Sequence, residues 1–134
     1  MVALGVIALI SVVSLPLLLN YQKTTKLQSE SRLLATNLRL TQQLAITEQN
    51  VYNLKLFPLT DLYQIINSET SEIFKEITLD SEISINEING FTDDTIQFTP
   101  TGSVLETGYV VLANTKNKTI TIRVKPSGYV EINE

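Results

Sequence analysis

The pattern of apolar positions changes character twice along the chain. From Met1 to Leu19 (MVALGVIALISVVSLPLLL) the side chains are nearly all apolar and none is charged, a run of 19 residues. As a helix rising about 1.5 Å per residue it spans roughly 28 Å, close to the hydrocarbon thickness of a bilayer, so residues 1–19 are expected to cross a membrane. A cleaved signal peptide is the competing reading. It fits less well, because no Lys or Arg precedes the run and the following LLLNYQKTTKLQ offers no small-x-small cleavage site. Pro16 deletes one backbone hydrogen bond inside the run and predicts a kink, which membrane helices tolerate when neighbours cover the freed groups.

Beyond Asn20 the apolar positions become periodic. Leu27, Leu34, Leu38 and Ala45 recur at sevens and fours, with Leu33, Leu40 and Leu44 widening the stripe. Lys23, Lys26, Glu30, Arg32, Arg39, Gln42, Gln43 and Glu48 lie outside it, and neither Gly nor Pro interrupts Tyr21–Gln49. One helix is therefore expected from Met1 to about Gln49, on the order of 73 Å long, with residues 20–50 as its amphipathic continuation. Packing of Leu27, Leu34, Leu38 and Ala45 on a sheet is favoured over a coiled coil, since so few heptads with Ser and Thr among them make a poor seam.

After Asn50 the period falls to two. VYNLKLF (51–57), LYQII (62–66), IFKEITL (73–79) and ISINEI (83–88) read as strands, followed by TIQF (95–98), YVVLA (109–113), TITIRV (119–124) and YVEI (129–132). FTPTGS, NTKNK and KPSG between them are turn-like. Phe98, Pro100 and Gly102 are read as a turn, Pro fixing φ and Gly relieving backbone crowding, and Gly128 ends the last turn. Such closely spaced strands with short connections predict one antiparallel meander as the head over residues 51–134, giving an α+β fold in which the helical stripe covers one face of the sheet.

Charge sharpens this division. Residues 20–50 carry 4 basic and 2 acidic side chains, whereas residues 51–134 carry 6 basic and 12 acidic ones. An acidic head without a Lys/Arg cluster is a poor nucleic-acid partner. With no cysteine and no histidine, disulfides, thiolate nucleophiles, Cys/His zinc sites and imidazole acid–base chemistry are all excluded. No G-x-S-x-G, S-x-x-K or P-loop is present, so no catalytic residue and no cofactor is expected. Asp93 and Asp94, with Glu87 nearby, have the oxygen chemistry of a hard-cation site, but without EF-hand spacing a solvated acidic turn is the favoured reading. Asn117-Lys118-Thr119 fits a glycosylation sequon and equally a polar hairpin loop, which is preferred.

These features in this order resemble the type IV pilin superfamily. MVALGVIALIS resembles the apolar start that follows the family's leader, and Pro16 falls where members commonly carry a kinking proline. SRLLATNLRLTQQLAITEQNVYNLKL, IQFTPTGSV and TITIRVKPSGYVEI resemble minor pseudopilins related to general secretion pathway protein H and similar minor type IV pilins. The resemblance implies a non-enzymatic minor subunit of a type II secretion pseudopilus, anchored once in the inner membrane with an extracytoplasmic head. Its implied partners are the membrane, other pilin or pseudopilin subunits through the N-terminal helix, and the assembly platform of the machine. A minor type IV pilin or a competence pseudopilin is the near alternative, and a single-pass membrane enzyme or receptor with an extracytoplasmic β domain is the alternative of another class. The family's prepilin glycine and post-cleavage glutamate, with the methylation that accompanies processing, would fall just upstream of Met1, so an in-frame leader is expected there. A basic leader would also offset Lys23 and Lys26, which by themselves favour a cytoplasmic head.

Overall fold

The computed structural model describes the backbone from Val2 to Glu134 and the side chains from Tyr21 onward. Helix α1 runs Val2–Glu48. The expected span over 1–19 and the kink at Pro16 concern side chains outside the described residues. Among the described residues no helix is long and apolar enough to cross a membrane.

Eight strands follow α1: β1 Tyr52–Phe57, β2 Leu62–Asn67, β3 Ile73–Thr78, β4 Ile83–Asn89, β5 Thr95–Phe98, β6 Gly108–Asn114, β7 Thr119–Val124 and β8 Val130–Asn133. Each matches a period-two segment of the sequence. They do not form one meander. One antiparallel sheet has the order β3-β2-β1-β5 and a second the order β4-β6-β7-β8. The chain therefore leaves the first sheet after β3, lays down β4, returns to place β5 beside β1, and completes the second sheet with β6 to β8. The return is favoured by pattern, since Ile96 and Phe98 on β5 alternate inward opposite Leu54 and Tyr52 on β1.

One apolar core joins the helix to both sheets. Leu27, Leu34, Ala35, Leu38 and Ala45 from α1 are fully buried, together with Leu54, Leu56, Tyr63 and Ile65 from the first sheet and Leu112, Ile120, Ile122 and Val130 from the second. Strand β6 departs from simple alternation: Val110 to Asn114 are all buried, as the unbroken apolar run VVLA suggests for a central strand. Edge strand β3 is the reverse, exposed over nearly all its length. It carries a register shift opposite Ile65/Ile66 and an inward-reaching Lys75, both of which discourage pairing with a further strand.

Candidate assembly site

The face that α1 turns to the head is not purely apolar. Buried positions fall at Leu27, Ser31, Leu34, Leu38, Thr41 and Ala45, the four-and-three rhythm of a helical stripe, with Ser31 and Thr41 filling its gaps. Both hydroxyls bury without orphaning, because Ser31 Oγ donates to the Leu27 carbonyl at 2.8 Å and Thr41 Oγ1 to the Asn37 carbonyl at 2.7 Å. Leu40 and Leu44 flank the core, whereas Leu33, expected to widen the stripe, points outward and is 39% exposed.

Asn37 is the polar centre of this face. It is 1% exposed. Its Nδ2 donates to the hydroxyl of Tyr63 on β2 at 2.9 Å, and its Oδ1 accepts from Nζ of Lys75 on β3 at 3.3 Å. Burial pushes the Tyr63 hydroxyl up to about 12, although the Asn37 hydrogen bond pulls the other way, so it stays a neutral phenol. One amide thus ties the helix to two strands of the first sheet.

Two connections, the one after β5 and the one between β7 and β8, are tied at the far end of the helix. Thr99–Gly102 is a turn closed by the Gly102 N–H donating to the Thr99 carbonyl at 2.9 Å, and Lys125–Gly128 is another closed in the same way at 2.8 Å. Phe98 is the buried last residue of β5, while Pro100, half-buried, lies within the first turn. Gly102 and Gly128 take φ of +89° and +85°, a left-handed region costly to residues with a Cβ. They also touch: a Cβ on Gly128 would collide with the Gly102 carbonyl and the Gln42 amide. Gln42 Nε2 donates to the Gly102 carbonyl at 2.8 Å and to the Ser127 carbonyl at 3.4 Å. Reading Gln42 as an outward polar residue misses this staple, and only the two glycine turns hinted that something must approach their backbones closely.

At the opposite end, Lys26 lies 3.9 Å from Asp80 and 3.6 Å from Glu82 in the β3–β4 connection. Glu30, one turn on, has a buried Oε2 without a hydrogen-bond partner. Burial raises its carboxyl above the ordinary range, aided by the neighbouring Asp80 charge and opposed by a backbone hydrogen bond at Asp80.

Asp93 and Asp94 sit in the short 3-10 turn Thr92–Asp94 before β5, both at positive φ. Thr92 N and Oγ1 both donate to Glu106 there, at 3.0 Å and 2.8 Å. Among the described residues no group of three or more acidic side chains is arranged to hold a metal ion. Asn117 lies in the exposed β6–β7 hairpin loop with φ of 61°.

No protein-family model matches the chain, and no curated protein matches it in sequence. Solved structures do. The minor pseudopilin EpsH of the Vibrio cholerae type 2 secretion system superposes with a TM-score of 0.67 at 9% identity, over 81% of this chain and 96% of that one. The type IV minor pilin FimU of Pseudomonas aeruginosa gives a TM-score of 0.66 at 9% identity, over 85% and 92%. At such identities the likeness lies in the backbone alone, and by it the chain has the pilin-like α+β fold, one long helix laid against antiparallel strands, that these minor pseudopilin and minor pilin structures share.

Proposed function

We propose that this chain is a minor subunit of a membrane-anchored filament, a type II secretion pseudopilus or a related type IV filament, and that it works by assembly rather than catalysis. Residues 1–19 serve as the inner-membrane anchor, residues 20–50 as the helical stem that carries the head, and residues 51–134 as an extracytoplasmic head. The observation that carries this reading is the fold match over nearly the whole of EpsH. The sequence supports it independently. The uncharged 19-residue run must be buried either in lipid or against other such helices, which is what a subunit moving from bilayer to filament provides.

Deleting the gene in its native host, with sheared surface filaments and secreted proteins both assayed, tests the reading. The chain is expected in the filament fraction at low abundance. Its loss is expected to reduce either surface filaments or secretion, and the affected output assigns the system. A chain absent from filament fractions, with both outputs unchanged on deletion, would overturn the proposal.

A further inference from the structure

The uncharged run ends at Leu19, and the first cations after it are Lys23 and Lys26. On a helix rising about 1.5 Å per residue they stand about 6 Å and 10 Å beyond Leu19, beside a polar headgroup layer roughly 5–7 Å deep on each side of a bilayer. Helical side chains lean toward the N-terminus, and a lysine's long stem carries its ammonium several ångströms further, so both charges reach headgroup level from an anchored stem. Three residues apart, they share one side of the helix. Tyr21, 70% exposed, lies between them and the run, where aromatic residues mark the bilayer boundary. The stem's other two cations, Arg32 and Arg39, stand about 20 Å and 30 Å beyond Leu19 and are out of reach.

The head treats the two lysines differently. Lys26 Nζ lies 3.9 Å from Asp80 and 3.6 Å from Glu82 with its side chain 44% exposed, whereas Lys23 has no ion-pair partner among the described residues. Pairs this long and this open to solvent are weak and exchange readily. The head first covers the stem at this level, Leu27 being the first buried residue of α1 among those described, and it brings carboxylates there. Glu30 lies against Asp80, and Gln28 Nε2 donates to Glu134 at 3.4 Å. An acidic edge is pushed away from an anionic surface, so attraction to such a surface falls to the lysines.

We infer that Tyr21, Lys23 and Lys26 form a headgroup-binding collar for anionic phospholipid, a proposal that rests on the membrane-anchored reading above. Lys23 holds lipid phosphate, and Lys26 exchanges between lipid phosphate and the Asp80–Glu82 pair of the head. The bilayer thereby competes with the head for the stem, and a subunit that leaves the bilayer gets the whole of Lys26 back.

The test uses the full chain in phosphatidylcholine vesicles carrying a trace of spin-labelled lipid, either phosphatidylglycerol or phosphatidylcholine. The motionally restricted fraction at the protein boundary is read for each. Phosphatidylglycerol is expected to be preferred about fivefold, the worth of one lysine held at an anionic surface. Lys23→Gln with Lys26→Gln is expected to abolish the preference. Lys116→Gln with Lys118→Gln, both exposed in the β6–β7 loop, removes the same charge and is expected to leave it intact. Asp80→Asn with Glu82→Gln is expected to raise the preference in the parent but not in Lys26→Gln, because the gain comes from the released lysine. Asp80→Asn keeps the side-chain oxygen that accepts from Glu82 N at 3.0 Å, and unchanged thermal unfolding shows the head intact. No preference in the parent, a preference that survives loss of both lysines or falls equally with the loop pair, or an acid-substitution gain that persists in Lys26→Gln would each overturn the inference. A chain that resists alkaline extraction yet shows no preference fails the collar alone; one released by alkali fails the anchor itself.

Discussion

The two sheets hold the same helix by different means. The first sheet meets α1 with a polar group in the interior, Asn37 reaching Tyr63 and Lys75. The second meets it with aliphatic side chains, its polar ties lying at the margins where Gln42 and Arg39 reach the carbonyls of Ser127 and Val130. Apolar area supplies the drive to dock but is indifferent to small slides, whereas a buried amide is satisfied at one position only. Both sheets thus give the helix adhesion, and the first adds register.

That contrast can be broken by substitution, with chemical unfolding of the detergent-solubilised chain as the measure. Leu38→Ala removes adhesion at the centre of the stripe, fully buried against the core, and is expected to cost about 2–5 kcal/mol. Asn37→Ala removes register, strands the Tyr63 hydroxyl in the interior and is expected to cost about 1–3 kcal/mol. A loss as small as that of an exposed substitution would show that register is set elsewhere. Gly128→Ala imposes a Cβ at positive φ against the Gly102 carbonyl and is expected to cost more than about 1 kcal/mol. Gln42→Ala deletes only the staple and should cost about 0.5–1.5 kcal/mol.

The smallest expected effect depends on pH. Burial raises the Glu30 carboxyl above its ordinary 4.5, so the folded state binds the proton more tightly than the unfolded one. The benefit of protonated Glu30 is complete below 4.5 and is lost as pH rises through the elevated folded value. Glu30→Gln, permanently neutral, is therefore expected to be slightly more stable than the parent at pH 7, with the difference shrinking toward pH 4. A gap that stays constant across that window would show that the orphaned oxygen finds a donor in solution.

Much of this architecture was legible in the residues. A change of period at Asn50 separates helix from strands, and all eight strands follow alternating or continuous apolar runs. Their division into two sheets was not legible, because β5 pairing with β1 across the intervening β2 to β4 is a long-range choice that local pattern does not encode. The buried polar residues were missed for another reason. Ser31, Asn37 and Thr41 look like surface by composition, yet Ser31 and Thr41 complete the spacing of Leu27, Leu34, Leu38 and Ala45, so position carried a signal that polarity hid. Gln42 had no such signal, since its role depends on two turns that meet only in the folded chain.

The β6–β7 hairpin shows what the glycine turns preclude. Asn114 closes that loop with its own side chain, Oδ1 accepting from Lys116 N at 2.9 Å and Lys118 N at 3.0 Å, and residues 115–118 touch solvent throughout. An epitope or fluorophore grafted there would extend a loop whose hydrogen bonds run between Asn114, Lys116, Asn117 and Lys118 of the hairpin itself. The same graft at Ser127 would part Gly128 from Gly102 and loosen the end of the helix with them. For anyone wishing to follow this subunit in a living cell, the handle belongs between β6 and β7.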